Sequence, residues 1–189
     1  MTLQKINTRN TIIILMIVAA GAFRLVSARY PYVLSNFSPI GAMALFGGAY
    51  FTDKWKAYVV PLIALFVSDI FLNHFYSGSW QIVDSSSIMV YVFFIAAVFM
   101  GTFIKKASIL NVTAASLLAV VLHWLLTDLP LGNLYPHTFV GYGQSLVAAI
   151  PFEKNMLFGD LVFCAILFGG FELAKSKYTA LRANREIAL

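Results

Sequence analysis

NFSPIGAMALFGGAYF, residues 36–51, is the segment of this chain that says most about its architecture. It begins like a helix, because Ser38 is a candidate N-cap and Pro39 suits the first helical position. Small residues dominate the apolar run that follows, and they let helix backbones pack closely inside a membrane. A helix of roughly 14 residues is about 21 Å long, shorter than a hydrocarbon core of about 30 Å. The stretch therefore predicts a short helix inside a bundle, either as a plain packing element or with its polar approach at a cavity.

Composition indicates that the whole chain is a membrane protein. Of its 189 residues, 60% are hydrophobic and 11% are charged, and the mean hydropathy is +0.83. Soluble domains average about 25% charged residues. The length suits one domain, residues 1–189, and the single cysteine, Cys164, excludes an internal disulfide and any multi-cysteine metal site. We expect an all-α integral membrane protein that lies in a lipid bilayer and has no nucleic-acid partner.

Six apolar runs predict a compact six-helix transmembrane bundle. They cover residues 11–23, 36–51, 57–73, 88–104, 109–126 and 156–173. The first run could pass for a cleaved signal peptide, but Arg24 interrupts that pattern, so we expect it to be retained as a helix. Residues 127–155 are mixed in character. Within them, residues 139–150 are expected to form a short helix that lies at the interface or dips into the bundle.

Lysine and arginine set the orientation of these spans, because cytoplasmic loops carry an excess of both residues. With the N-terminus inside, ten of the thirteen lie inside, and three, Arg24, Arg29 and Lys154, lie outside. The net charge of +5 is therefore interpreted as topology rather than as a sign of an acidic partner. We expect a multi-pass protein of a bacterial cytoplasmic (inner) membrane with both termini cytoplasmic.

Polar side chains within the spans gather toward the outer end of the bundle. Charges at membrane depth normally face a bundle interior or a water-filled cavity, so this bias predicts an outward-facing pocket for a small molecule. Two aromatic residues join the set because a planar ligand could stack on them. The candidate substrate-binding residues are Arg24, Asn36, Asp69, Asn73, His123, Trp124, Asp128, Tyr142 and Asp160.

Several of these candidates also have a structural interpretation. We expect Arg24 and Asp69 to lie close together and to border the pocket. Arg24 could also pair with Asp69 or Asp160 only to fix the register of the helices. His123 could be a hydrogen-bonded core residue, and Asp128 could cap a turn. Asp160 could cap the start of the sixth helix. The aromatic residues could form the belt that is common at membrane interfaces.

Enzyme signatures are missing from the sequence. It has no GxSxG nucleophile elbow, no HExxH motif and no Walker A loop. A metal site that joins His123 to His74 or His137 has no support from their spacing. We therefore expect no enzymatic activity, no cofactor, no metal ion and no direct use of ATP.

Several stretches of the chain resemble an uncharacterised bacterial membrane family whose members are described as transport proteins. They are NFSPIGA (36–42) with ALFGGAYF (44–51), VPL (60–62) with SD (68–69), AAIPF (148–152), and GDL (159–161) with LFG (167–169). More remotely, that family is similar to the substrate-binding (S) subunits of energy-coupling-factor vitamin transporters.

The resemblance implies an S-component-like bundle that takes up a small vitamin-like molecule from the outer side, with cobalamin or a related corrinoid as one candidate. It also implies a possible partner, a transmembrane coupling subunit with ATPases. Two other interpretations stay open. One is an intramembrane enzyme that uses His123, Asp128 and Asp160 on a lipid-linked substrate, and the other is a structural membrane protein.

Overall fold

The computed structural model describes residues 7–80, 87–132 and 134–182, and these residues form helices and connecting turns without a strand. The helices are α1 (Thr8–Arg29), α2 (Pro31–Leu34), α3 (Ile40–Tyr50), α4 (Lys54–Ser77), α5 (Ile88–Gly101), α6 (Ile109–Thr127), α7 (Phe139–Cys164) and α8 (Gly170–Lys177). A π-helical segment, Ala165–Gly169, joins α7 to α8, and a 3-10 turn, Thr179–Leu181, follows α8.

The short helix α3 lies at the centre of the bundle. Ten of its 11 residues are buried, and it packs against α1, α4, α5, α6 and α7. A Cβ atom on Gly48 would collide with backbone atoms of Val98 and Gly101 in α5. A Cβ atom on Gly101 would collide in turn with the backbone of Leu45. The prediction that small residues bring this helix into close backbone contact is therefore confirmed.

The start of α3 differs from the sequence prediction. The helix begins at Ile40, and Pro39 occupies the cap position without a side-chain hydrogen bond, so the assignment of Ser38 as N-cap was wrong. Instead, the amide of Ala42 donates to Oδ1 of Asp160 in α7 at 2.5 Å. A carboxylate from a distant part of the chain thus satisfies one of the free amides that every helix start leaves.

The sixth apolar run is only part of a longer helix. α7 begins at Phe139, so residues 139–150 are its first half, and the predicted start at Met156 was wrong. Pro151 lies inside α7, where its missing N–H leaves the carbonyl of Val147 without its helical donor. Through the π-helical segment, α7 and α8 form one run of 39 residues, Phe139–Lys177.

Four helices are long and apolar enough to cross a membrane: Thr8–Arg29, Lys54–Ser77, Ile109–Thr127 and Phe139–Lys177. The apolar helices α3 and α5 have 11 and 14 residues. At 1.5 Å per residue they are about 17 Å and 21 Å long. The sequence predicted six spans, and length and composition alone support four of them.

The direction of the helices defines two ends of the bundle. At the basic end, marked by Arg9, Glu172 and Lys175, α1 and α4 begin and α3 and α8 finish. There the hydroxyl of Tyr50 donates to Oε1 of Glu172 at 2.6 Å, and the Arg9 guanidinium lies over the Phe171 ring. The opposite end, where α1, α4 and α6 finish and α5 begins, is called the cavity end. Lys5 and Arg185, two of the residues expected inside, lie outside the described ranges.

Candidate functional site

A polar cavity with two adjoining lobes lies at the cavity end. The first lobe has a volume of about 480 Å³ and receives side chains from all of the helices α1 to α7. The second has a volume of about 370 Å³ and lies between the end of α6, the loop after it and α7. Asn36, His123 and Thr127 line both lobes. Ligand pockets have volumes of about 300–1,000 Å³, so each lobe is large enough for a small molecule.

The first lobe, called the ion-pair lobe, contains the pair Arg24–Asp69. Nη1 of Arg24 lies 2.7 Å from Oδ1 of Asp69, and only 10% and 11% of the two side chains is exposed. The same nitrogen donates to the hydroxyl of Ser68 and to the carbonyl of Leu65. The hydroxyl of Tyr91 donates to Oδ2 of Asp69 at 2.7 Å. The expected proximity of Arg24 and Asp69 is confirmed, and both carboxylate oxygens are bonded within the protein.

Two asparagines add uncharged polar groups to the cavity. Asn73 lines the ion-pair lobe from α4, and Asn36 lies where the two lobes meet. Asn36 has a φ of 55°, a left-handed backbone conformation that asparagine adopts more readily than most residues. This conformation turns the chain between α2 and α3 and places Asn36 at the junction of the lobes.

The second lobe, called the carboxylate lobe, contains His123 and Glu153. Nδ1 of His123 lies 3.0 Å from Oε1 of Glu153, and the two side chains are 11% and 9% exposed. The ring of Phe93 packs edge-on against the His123 ring, with centroids 5.0 Å apart. Oε2 of Glu153 is buried and has no hydrogen-bond partner among the described residues. The Ser38 hydroxyl, which lines the ion-pair lobe, is the other buried lining group without a partner in the described chain, so Glu153 is the charged one of the two.

Glu153 was missed by the sequence analysis. It lies beside Lys154 in a segment that was read as mixed, whereas the structure places it inside the continuous helix α7. It precedes Asp160 by seven residues, a spacing that puts both carboxylates on one face of a helix. That spacing is the signal that could have identified Glu153, had the helix been extended through Pro151.

Asp128 lines the carboxylate lobe just after the end of α6. Burial raises the pKa of the Asp128 carboxyl group, the neighbouring Glu153 carboxylate raises it further, and His123 lowers it. Neither lysine nor arginine is among the residues that line this lobe in the described chain. With two carboxylates against one histidine, the carboxylate lobe is therefore acidic, whereas the charges of Arg24 and Asp69 balance each other in the ion-pair lobe.

Asp160 lies apart from both lobes and is fully buried. Its Oδ1 accepts from the amide of Ala42, and its Oδ2 accepts from the hydroxyl of Ser116 at 2.6 Å. A Cβ atom on Gly41 would lie 2.6 Å from Oδ1, so a glycine at this position makes room for the carboxylate. Asp160 thus connects α3, α6 and α7. The interpretation that it caps the start of its own helix was wrong, because it lies inside α7, which begins at Phe139.

Trp124 and Tyr142 also lie outside the lining of the two lobes. The indole nitrogen of Trp124 donates to the carbonyl of Leu146 at 3.0 Å, and the hydroxyl of Tyr142 donates to the carbonyl of Leu125 at 2.7 Å. Both residues tie the end of α6 to the start of α7. The cavity therefore brings together six of the nine candidates: Arg24, Asn36, Asp69, Asn73, His123 and Asp128.

The cavity offers groups that recognise polar ligands. Its amides both donate and accept hydrogen bonds, and its carboxylates accept them. In the part of the chain that the structure describes, no group of three or more histidine, cysteine, aspartate or glutamate side chains could hold a metal ion. The arrangement is therefore suited to binding a small polar molecule through hydrogen bonds and charge.

The chain belongs to a family of unknown function, DUF6580, whose family model matches residues 4–181. No curated protein and no solved structure matches the chain. The family description assigns no activity, so the function has to be argued from the cavity itself.

Proposed function

We propose that this chain is a six-span protein of a bacterial cytoplasmic membrane that binds a small vitamin-like molecule from the outer side and takes part in its uptake. The observation that carries the proposal is the two-lobed cavity, to which four helices (α1, α4, α6 and α7) and the connection between α2 and α3 contribute polar side chains. It lies at the end of the bundle opposite Arg9 and Lys175.

The surface of the helices supports the membrane part of the proposal. Large apolar side chains are exposed along α1 and α4, among them Leu15, Val18, Ile63 and Val67. A surface of exposed apolar side chains suits the hydrocarbon core of a membrane. Helices are also suited to that environment, because their backbone N–H and C=O groups form hydrogen bonds within the helix. α3 runs from the cavity end to Tyr50 at the basic end, which favours counting it as a span despite its length.

The charge distribution supports the orientation. Arg9 and Lys175 lie at the basic end, which we assign to the cytoplasm because cytoplasmic loops are rich in lysine and arginine. The cavity then opens toward the outer side, as expected for uptake. Both termini are cytoplasmic in this orientation.

The volume of the cavity favours ligands smaller than a corrinoid. The lobes have volumes of about 480 Å³ and 370 Å³, within the range of pockets that enclose drug-sized molecules. Cobalamin is a much larger molecule, and neither lobe would enclose it. We therefore propose a vitamin-like ligand the size of a single substituted ring system or two linked rings.

Uptake against a gradient needs an energy source, and the sequence has no Walker A loop. Following the resemblance to S subunits, we propose a transmembrane coupling subunit with ATPases as the partner. The small residues Ala19 to Ala22 in α1 are candidates for a surface that docks this partner, because small residues let helices pack closely in a membrane. Ala20 and Gly21 are buried within the bundle, so this docking surface would use the exposed Ala19 and Ala22.

A second candidate function rests on the His123–Glu153 contact of 3.0 Å. A histidine oriented by a carboxylate is a common general base, so an intramembrane enzyme with a lipid-linked substrate is the alternative. Turnover of such a substrate by the purified protein, abolished in His123→Ala, would favour catalysis over uptake.

Ligand binding is the direct test of the proposed function. Purified full-length protein is screened by thermal shift against vitamins and their precursors, and a ligand at 100 times its dissociation constant adds about 2.7 kcal/mol of stability. Asn36→Gly and Asn73→Ala should weaken binding about tenfold through loss of a polar contact. Asn111→Ala, which removes a hydrogen bond to Lys106 near the other end of the bundle, is the matched control. A panel without any stabiliser would count against the proposal.

Cysteine labelling tests the orientation. In a Cys164→Ala background, Ser79→Cys should react with an impermeant reagent in intact cells. Lys106→Cys should react only after the membrane is opened, because the basic end faces the cytoplasm. The reverse pattern would place the cavity on the inner side and exclude capture from outside.

A further inference from the structure

We propose that the ligand carries a positively charged nitrogen, and that Glu153, assisted by Asp128, binds this nitrogen in the carboxylate lobe. The inference rests on the proposed function, because it names the class of ligand for the same cavity. Three observations support it: an unsatisfied acceptor, an excess of acidic groups and aromatic walls.

The unsatisfied acceptor is Oε2 of Glu153. Buried polar atoms in folded proteins are nearly always hydrogen-bonded, so one without a partner needs an explanation. Glu153 is 8% exposed, and its Oε1 is occupied by His123. The nearby hydroxyl of Thr127 is engaged as well, since it donates to the backbone carbonyl of His123 at 2.9 Å. The carboxylate thus retains acceptor capacity on the side chain that lines the lobe.

The charge of the lobe gives the sign of the missing donor. Glu153 and Asp128 both line it, and no lysine or arginine of the described chain does so. By contrast, Asp69 is balanced by Arg24 in the adjoining lobe. A ligand that brings a cation would neutralise the excess and supply a charge-assisted hydrogen bond, which is stronger than a neutral one.

The walls of the lobe suit a compact organic cation. Tyr135 and Phe152 line it, and aromatic faces attract ammonium and other nitrogen cations. The volume of about 370 Å³ accommodates a single ring with a charged substituent. Asn36 and Thr127 connect this lobe to the ion-pair lobe, where the uncharged part of a longer ligand would lie.

Two series of matched probes test the inference on full-length protein in nanodiscs. Pyridoxamine, pyridoxine and 4-pyridoxate share a ring and differ in carrying an ammonium, a hydroxyl or a carboxylate group; benzylamine, benzyl alcohol and benzoate form the second series. Dissociation constants are measured by calorimetry and by thermal shift. We expect an amine to bind at least tenfold more tightly than its neutral and anionic counterparts.

The variants assign this preference to Glu153. Glu153→Gln should weaken binding of the amine about tenfold to a hundredfold and remove the preference for charge, as expected for loss of a hydrogen bond between charged groups. Glu172→Gln, the same exchange at the basic end, should leave both unchanged. If Glu153→Gln does not fold, Asp128→Asn replaces it, and a loss of several-fold in amine affinity is expected.

Three results would overturn the inference. The first is that neutral or anionic probes bind as tightly as the amines. The second is that Glu153→Gln keeps the preference for the amine over the neutral and anionic probes. Failure of both amines to bind would also overturn it, because the Glu153 carboxylate would then be satisfied by water or by a proton. In the first two cases a small molecule still binds the protein, and the variants Asn36→Gly and Asn73→Ala decide whether it occupies the cavity, as the proposed function requires. In the third, the vitamin panel decides the proposed function separately.

Discussion

Asp160 and Glu153 are two buried carboxylates on one face of α7, seven residues apart, and their surroundings differ. Asp160 is fully buried and accepts hydrogen bonds from Ala42 and Ser116 on its two oxygens. Glu153 is 8% exposed and has one oxygen without a partner in the part of the chain that the structure describes. Burial is nearly the same, so it does not separate a structural carboxylate from a ligand-binding one. What separates the two roles is the hydrogen-bonding capacity that the carboxylate oxygens still have after their contacts within the protein are counted.

The pair Arg24–Asp69 lies between these two cases. It lines the cavity, as Glu153 does, but both oxygens of Asp69 are occupied by Arg24 and Tyr91, as those of Asp160 are occupied by other donors. We therefore expect Asp69 to shape the cavity and to contribute more to stability than to affinity.

The largest effect on stability is expected for Asp160→Leu. This change leaves the amide of Ala42 and the hydroxyl of Ser116 buried without an acceptor, at about 1–3 kcal/mol each, so the loss could reach about 6 kcal/mol. Asp160→Asn is the matched control, because its amide group still offers an oxygen to Ala42 and a donor to Ser116. Thermal and denaturant unfolding of the purified protein measure both. Equal stability of the two variants would contradict a role for these hydrogen bonds.

The next effect concerns the ion pair. Arg24→Met leaves the buried Asp69 carboxylate uncompensated, and such a loss costs about 3–5 kcal/mol. The double variant Arg24→Met with Asp69→Leu removes both charges and should recover most of the stability. Adding Tyr91→Phe should recover more, since its hydroxyl would otherwise lose its acceptor. A double variant less stable than Arg24→Met alone would mean that the pair does more than balance its own charges.

A smaller effect is expected for Trp124→Phe. It removes the hydrogen bond to the carbonyl of Leu146, at about 1 kcal/mol, and keeps most of the apolar contact. Tyr142→Phe removes the equivalent bond to Leu125 and serves as its counterpart. Neither change should alter the affinity for a ligand, because both residues lie outside the lining of the lobes. A large loss of affinity with unchanged unfolding temperature would place Trp124 in the ligand site after all.

The differences between prediction and structure have one physical origin, which is contact between distant parts of the chain. Local pattern was sufficient for the close packing of Gly48 and for the proximity of Arg24 and Asp69, since small residues and unpaired charges have few alternatives in a membrane. The start of α3 could not be predicted locally, because its free amide is satisfied by Asp160 from α7. Glu153 was missed for a related reason: the proline at 151 suggests a break, but helix packing keeps α7 continuous through it.

The smallest effect on stability is expected for Glu153→Gln, and it tests the comparison most directly. The glutamine oxygen can still accept from His123. The change also removes the buried negative charge of Glu153, whose Oε2 has no donor in the described chain. Without ligand, the free energy of unfolding should therefore change by less than about 1 kcal/mol, with a gain as the expected direction. Unfolding is compared with that of Asp160→Asn, the same carboxylate-to-amide exchange two turns along α7. A loss of more than about 2 kcal/mol in Glu153→Gln would mean that both hydrogen-bonding positions of Glu153 are already occupied in the protein, as they are in Asp160, and that ligand affinity must be sought elsewhere in the cavity.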